Sequence, residues 1–167
     1  EDNYLRGAAI SSQIGSGLLS FLLSARNIDA RIVDDRYTSI VTGGIHVTDA
    51  EKAKRHTMWE YLAGTNYTLK FSTLNLGLTA VAYMYNKHNG RKVSDYNRYQ
   101  QYDGPWGNVG ADFHWFHNHF RYFGEFSVDA HLAPAAIFGV IWNPKYEIET
   151  GATFRYYDKS FISTHSG

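Results

Sequence analysis

Three histidines lie close together at His114, His117 and His119, and imidazoles at such short spacing could bind Zn or Cu. The spacing matches no recognised metal-binding motif, however. The same residues also fit an aromatic-rich turn between two strands. We favour the turn, and we predict no bound metal and no cofactor.

Acidic and hydroxyl side chains are candidates for a catalytic site. Glu125 and Asp129 would share one face of a strand, but four residues of extended chain span about 13 Å, which exceeds the separation of paired glycosidase carboxylates. Ser127, His131 and Asp129 could supply a nucleophile, a base and an acid, yet no G-x-S-x-G motif accompanies Ser127. The chain also contains no Cys nucleophile. We therefore predict that the protein is not an enzyme.

The balance of positive and negative side chains argues against one class of binding partner, nucleic acids. The 167-residue chain carries 16 Lys and Arg against 16 Asp and Glu. Nucleic-acid-binding proteins normally carry a basic excess, so we predict no nucleic-acid partner. Aromatic residues make up 16% of the chain and charged residues 19%, against roughly 25% charged residues in soluble domains. This composition is a poor match to an ordinary soluble domain.

Apolar and polar residues alternate with period two through most of the chain, which predicts β-strands. The clearest case joins residues 65–71 and 74–85 through a turn at Ser72-Thr73. Pairing Phe71 with Leu74 in this register makes one face apolar and the other polar or small. A hairpin that buries one face requires this separation.

Three more hairpins follow from the same alternation. Their two-residue turns are predicted at Gly15-Ser16, His117-Asn118 and Asn143-Pro144. The final hairpin is the least regular, because Phe138 and Val140 fall on its charged face. The hairpins give about eight strands, longer than the 5–6 residues usual in soluble sheets. We predict one all-β domain over residues 1–167: an antiparallel up-and-down transmembrane β-barrel of about eight strands, complete in itself or part of a larger barrel.

One short helix is predicted near residues 48–62, in the longest connection between strands. Thr48 and Glu51 have the spacing of a capping box, in which each side chain accepts a free amide of the first turn. The basic residues that follow could meet lipopolysaccharide phosphates or a partner. We favour a simpler interpretation, in which they form the solvated face of a loop helix.

Alternation alone does not decide which face of the sheet is buried. A soluble, lipocalin-like barrel turns its apolar face inward, whereas an outer-membrane barrel turns it towards lipid. The polar face is rich in Gly, Ser, Thr and Asn, the apolar faces have membrane-spanning length, and the few polar-face charges are mixed in sign; all three favour the membrane barrel. The residues predicted to face the barrel interior are Lys70, Asp112, His114, Arg121, Glu125, Asp129, Glu147, Glu149 and Arg155. An aromatic girdle is predicted at Tyr83, Tyr85, Tyr96, Tyr99, Tyr102 and Trp106.

The segment from Gly43 to Arg55, GGIHVTDAEKAKR, resembles a loop motif, roughly G-x-H-x-T-x-x-E, of outer-membrane barrel proteins from the Bacteroidota. Residues 24–30 and 123–125 resemble these proteins as well. Several of them carry an N-terminal helix-hairpin-helix segment, which is not found here, and bacterial barrels usually end in an aromatic residue, whereas this chain ends at Gly167. We therefore expect a fragment of a larger barrel. The resemblance implies a location in the bacterial outer membrane and no established activity.

The expected function is that of a pore or transport barrel, or of a component of an outer-membrane transport or secretion assembly. A structural or recognition barrel with a plugged lumen is one alternative, and a soluble lipocalin-like ligand-binding barrel is another. The expected partners are outer-membrane lipids, with lipopolysaccharide and other outer-membrane proteins as further candidates.

Overall fold

The computed structural model describes residues 4–41, 47–95, 97, 103–145 and 148–163. In chain order its strands are β1 (Gly7–Ile14), β2 (Gly17–Ile28), β3 (Ala30–Val33), β4 (Arg36–Ile40), β5 (Met58–Lys70), β6 (Leu74–Tyr85), β7 (His88–Asn89), β8 (Trp106–His117), β9 (Phe120–Asp129), β10 (Pro134–Lys145) and β11 (Ile148–Tyr157). A short helix, α1 (Asp49–Lys52), lies between β4 and β5 in the chain. The predicted all-β class is confirmed.

Eight strands form one antiparallel sheet in the order β1-β2-β5-β6-β8-β9-β10-β11. Each of these strands is adjacent to the next long strand of the chain, so the predicted up-and-down order is confirmed. The short strands β3, β4 and β7 form a separate sheet within the long connections. The large sheet is not closed, since β1 and β11 are its two edges. Closure into a barrel therefore stays a prediction.

The chain is organised as two compact units. Unit 1 comprises Glu1–Ala9, Leu22–Ala63 and Ala82–Trp106, and unit 2 comprises Ile10–Phe21, Gly64–Val81 and Gly107–Gly167. Unit 1 contains a small core in which Ala30, Tyr37 and Met58 are buried. Four partly buried residues pack around it: Ile28, Ile32, Ile40 and Tyr85. In unit 2 the four strands β8 to β11 form a continuous ladder.

Two predicted hairpins have the expected register. In the first, the hydroxyls of Ser11 and Ser20 are hydrogen-bonded at 2.7 Å, as a turn at Gly15-Ser16 requires. Gly15 has a φ of 60°, which a glycine adopts without steric cost. In the second, the amide of Phe71 donates to the carbonyl oxygen of Leu74 at 2.8 Å. The alternation pattern was therefore sufficient to align these strands.

The hairpin of β8 and β9 turns one residue later than predicted. His117 lies opposite Phe120, and the turn is formed by the two residues between them. Asn118, the first of these, has a φ of 51°, in the left-handed region that Asn tolerates. The register differs from the predicted one by two residues, and an even shift leaves each side chain on its face. Asp112 now lies directly opposite Glu125.

The predicted turn at Asn143-Pro144 is wrong. β10 continues through these residues, and an irregularity near its end changes its register with β11. Relative to the predicted pairing the shift is odd, and an odd shift moves every side chain to the other face. Phe138 consequently lies opposite Phe154, and Ile137 lies opposite Arg155. Phe138 and Val140 are thereby separated from Arg155, with which the predicted pairing placed them on one face.

The predicted helix near residues 48–62 is wrong in length, because α1 ends at Lys52 and β5 begins at Met58. Its start is confirmed: Thr48 and Glu51 form the predicted capping box. At the beginning of β5 every second residue is buried, so tertiary packing overrides any helical preference of this segment. No helix in the described part of the chain is long and apolar enough to cross a membrane.

Candidate functional site

One face of the β8–β11 ladder in unit 2 is almost entirely apolar. We call it the apolar face; its residues are Val109, Ala111, Phe113, Trp115, Phe120, Tyr122, Phe126, Val128, Ala136, Phe138, Val140, Trp142, Ala152, Phe154 and Tyr156. Many of the large side chains are exposed; the exposed fraction is 56% for Val109, 54% for Phe126 and 67% for Phe154. Exposed apolar surface of this extent is uncommon on monomeric soluble proteins and is found where proteins contact membranes or other proteins.

Aromatic side chains gather at the end of the apolar face beside the β8–β9 turn. The rings of Trp115 and Tyr122 stack with centroids 5.2 Å apart. Phe120 stacks on Tyr122 at 5.9 Å and on Trp142 at 6.3 Å. Offset stacking of this kind stabilises the cluster beyond the burial of its area. The cluster forms an aromatic band across three neighbouring strands.

In unit 1 the exposed aromatic residues are not the predicted ones. Trp59 and Tyr61 are exposed on β5 and stack with centroids 6.2 Å apart. Tyr83 and Trp106 are only 3% and 6% exposed, so the prediction that they belong to an exposed girdle is wrong. Tyr83 alternates with Met84 along β6 and therefore points to the other side of the sheet. Three further residues of the predicted girdle lie outside the described part of the chain: Tyr96, Tyr99 and Tyr102.

The opposite face of the β8–β11 ladder, here called the polar face, carries most of the charges predicted to face an interior. One row of residues runs across the strands from Arg155 through Ile137 and Glu125 to Asp112. Glu125 and Asp112 are direct cross-strand neighbours, and like charges in this position repel each other. Arg155 supplies a positive charge two strands from Glu125, at a backbone spacing of about 10 Å.

Arg121 lies away from Asp112 and pairs with another carboxylate. Its guanidinium lies 3.4 Å from the carboxylate of Glu149, and about half of each side chain is exposed. The shifted register of β8 and β9 places Arg121 opposite Phe116, two rows away from Asp112's row. In water such an exposed pair contributes about 1 kcal/mol or less, but its effect would be larger in a confined interior.

The remaining predicted residues are dispersed. His114 is exposed, and its ring stacks on Phe123 with centroids 6.3 Å apart. His117 lies on the opposite face of β8, so the clustered histidines do not converge. Lys70 is the exposed last residue of β5, and Glu147 lies outside the described residues. Within the described ranges, no group of three or more His, Asp or Glu could hold a metal ion.

Glycines on the polar face make room for neighbouring side chains. A Cβ added at Gly77 would lie 2.2 Å from Oδ1 of Asp112. A Cβ added at Gly139 would lie 2.2 Å from the ring of Phe123. Both side chains therefore lie flat over the backbone of a neighbouring strand, where only a glycine leaves enough space.

Asp129 differs from the other predicted residues because it is buried, with 3% of its surface exposed. Its Oδ1 accepts the amides of His131 and Ala133 at 2.9 Å, and its Oδ2 accepts the amide of Ile162 at 3.0 Å. The carboxylate thus closes the turn after β9 and holds the segment that follows β11. Ser127, considered above as a nucleophile, donates its hydroxyl to a carbonyl of β8 at 3.2 Å.

Thr48 and Glu51 have a structural role at the start of α1. The Glu51 carboxylate accepts the amides of Thr48 at 2.9 Å and of Val47 at 3.0 Å, and the Thr48 hydroxyl accepts the amide of Glu51 at 3.3 Å. The hydrogen bonds from Thr48 lower the pKa of Glu51, since they favour the ionised form.

A buried ion pair in unit 1 was not predicted. Arg26 on β2 and Glu60 on β5 are in direct contact, and their side chains are 9% and 2% exposed. The guanidinium also donates to the carbonyl oxygen of Tyr4 at 3.3 Å. Glu60 falls in the segment predicted to be helical, and nothing in the spacing of Arg26 and Glu60 identifies them as partners.

The connections of unit 1 form a polar cluster that was not predicted from the sequence. Asp103 lies 3.1 Å from Nδ1 of His88 and accepts the amide of Asn89 at 3.0 Å. Burial opposes ionisation of Asp103, but these hydrogen bonds outweigh it and the pKa of Asp103 is lowered. Burial raises the pKa of Tyr37 to about 12, and the guanidinium of Arg91 lies 5.6 Å from its ring.

The feature with the clearest functional meaning is the separation of an exposed apolar face from a charged polar face within one sheet. Neither face contains a nucleophile held by a base among the described hydrogen bonds. Comparison of the chain with models of known protein families, with characterised proteins and with solved structures finds no match in any of the three.

Proposed function

We propose that this chain forms the wall of an outer-membrane β-barrel, with its apolar face against lipid and its polar face towards the interior. Its function would be passage of solutes, as a pore or as a component of an outer-membrane transport or secretion assembly. The observation that carries the proposal is the exposed apolar face of β8 to β11, with an aromatic cluster at one end and Tyr156 near the other. Outer-membrane barrels present this arrangement to the bilayer.

The dimensions of the apolar face support this proposal. β8, β9, β10 and β11 contain 12, 10, 12 and 10 residues, and a tilted membrane strand needs about 9–11. Tyr156 lies opposite Ala136, six residues before Trp142 in β10. These two aromatic levels are therefore about 20 Å apart along the strand. Because membrane strands are tilted by about 35–45°, this is about 15 Å along the membrane normal, so both levels fit within the apolar band of about 25 Å of known barrels.

The exposure of the apolar face argues against the alternative of a soluble, lipocalin-like barrel. In such a barrel the apolar face would be turned inward and shielded from solvent. Phe126 and Phe154 are instead more than half exposed, whereas Asp112 and Ile137 on the polar face are only partly exposed. The more accessible side of this sheet carries the larger apolar side chains.

A plugged barrel is a second candidate, supported by the polar face. Asp112 and Phe123 lie flat over Gly77 and Gly139, and such side chains would fill a narrow interior. Eight strands alone enclose little more than side chains. The edge strands β1 and β11 are exposed along their whole length, however, which suits a wall that further pairing completes. We therefore place transport before a plugged structural role.

Membrane insertion is tested by refolding the chain with and without lipid vesicles. The proposal expects protection of the strands from protease only with vesicles, a need for detergent during extraction, and a change of gel mobility on heating. A monomer that stays folded and soluble without detergent would refute it. Ion conductance across a planar bilayer would then separate an open barrel from a plugged one.

A further inference from the structure

A groove opens on the surface of unit 1, with a volume of about 620 Å³. Its floor is formed by small side chains, including Ala25, Ala63 and Ala82, and larger side chains stand beside it, including Leu23, Tyr61 and Met84. The lining residues come from the start of β1, from β2, β5 and β6, and from Pro105. The groove therefore runs across neighbouring strands. Ala63, Ala82 and Met84 are exposed, so the groove is open to whatever surrounds this face.

The groove has a single charged residue, Arg6, in its lining and no acidic residue. The backbone of Arg6 is held by Ser24, whose hydroxyl accepts the Arg6 amide at 3.1 Å and donates to the Arg6 carbonyl at 3.0 Å. Within the described ranges, no acidic side chain pairs with the Arg6 guanidinium. Arg6 is exposed and is one of the lining residues. A ligand with an anionic head and an apolar tail is complementary to this lining, because guanidinium donors match phosphate in a bidentate geometry.

The position of the groove indicates which leaflet would supply such a ligand. It lies where β1 begins, where β2 leads into residues 29–57 and where β6 leads into residues 86–105, the two longest connections. Outer-membrane barrels place their longer loops on the extracellular side. The stacked and exposed pair of Trp59 and Tyr61 lies in the same part of β5, as aromatic residues do at a membrane interface.

We propose that this groove binds lipid A, the phosphorylated acyl lipid of the outer leaflet, with one acyl chain along the alanine floor and a phosphate on Arg6. This inference rests on the proposed outer-membrane location. The chemistry assigns separate roles, since the alanines make room for the chain and Arg6 selects the charged head.

The test measures binding of purified lipid A to the full chain refolded in detergent micelles, by native mass spectrometry. Arg6→Gln should weaken binding about tenfold, as expected for loss of a charge-assisted contact. Ala63→Leu should weaken it by filling the floor. The matched controls are Arg31→Gln, which removes another exposed arginine, and Ala152→Leu, which enlarges an exposed alanine of unit 2; both should bind as the wild type does.

Three results would overturn the inference while leaving the barrel in place. They are wild-type binding no tighter than that of an uncharged acyl lipid, Arg6→Gln binding unchanged, and phosphatidylglycerol binding as tightly as lipid A. Folding is followed in the same samples by the heat-dependent change of gel mobility. A chain that shows no such change and needs no detergent would overturn the proposed location and the lipid site together.

Discussion

Replacing Phe154 by Lys tests what surrounds the apolar face. Phe154 is 67% exposed, so in water the change removes only about a third of the 1.5–3 kcal/mol that full burial of such a side chain contributes, or roughly 0.5–1 kcal/mol. In a bilayer the ammonium group would replace the ring in hydrocarbon, at a cost of about 2–4 kcal/mol near the midplane. Phe154 lies opposite Phe138, between the aromatic levels of Trp142 and Tyr156. We therefore expect Phe154→Lys to lower the free energy of unfolding by the larger amount, about 2–4 kcal/mol.

The neighbouring residue provides a matched control. Thr153 is exposed on the polar face, opposite Gly139, so Thr153→Lys adds the same charge on the other side of β11. We expect a change within about 0.5 kcal/mol for this variant. The free energy of unfolding would be measured by urea titration in lipid vesicles, with tryptophan fluorescence as the signal. Equal effects of the two substitutions would refute the assignment of the apolar face to lipid.

Three further predictions concern single contacts. Asp129→Ala should lower the free energy of unfolding by about 3 kcal/mol, because three backbone amides lose their acceptor. The control Asp49→Ala, at an exposed site, should change the free energy of unfolding little. Equal urea midpoints of the two variants would contradict the role of Asp129. Gly7→Ala places a Cβ 1.8 Å from the carbonyl oxygen of Leu23 and should lower the free energy of unfolding by about 1–3 kcal/mol. The control Gly15→Asn lies in open space at a φ of 60° and should leave the stability unchanged. A Gly7→Ala protein as stable as the wild type would contradict the close approach of β1 and β2. Because the pKa of Asp103 is lowered, its contacts stabilise the connection fully above pH 3.8, the ordinary pKa, and are lost as the pH falls through the lower folded value. Hydrogen exchange of the Asn89 amide, corrected for its intrinsic pH dependence, should accelerate in that acidic range. Asp103→Asn should abolish this acceleration.

Local pattern was enough to predict the eight long strands in outline and the register of two of the four hairpins, but not the short strands β3, β4 and β7. The register of Phe71 with Leu74 follows from alternation, because any odd shift would mix apolar and polar side chains on one face. The capping box of Thr48 and Glu51 is equally local, since its atoms lie within one turn of chain. The length of α1 was not predictable in this way. Helical propensity continues past Lys52, and burial of Met58 in the core of unit 1 decides where the strand begins.

In the candidate site, too, local features were predictable and contacts between distant segments were not. Alternation placed Asp112 and Glu125 on one face, and the structure has them in one row across the ladder. Arg155 lies in that row because the register of β10 and β11 differs from the predicted one. Their partners could not be predicted, because Arg121 meets Glu149 only in the register that the turns and the irregularity in β10 produce. The buried pairing of Arg26 with Glu60 is likewise a contact between distant segments.

The sequence by itself therefore determined the eight long strands in outline, the division of residues between two faces in three of the four hairpins, and the neutral balance of charge. The tertiary structure decided which strands are edges, which charges meet, and which aromatic residues are exposed. The physical reason is that alternation is a property of adjacent residues, whereas register depends on the combined energy of every pair along two strands. A single bulge, which has no marked local signature, is enough to move a whole strand from one face to the other.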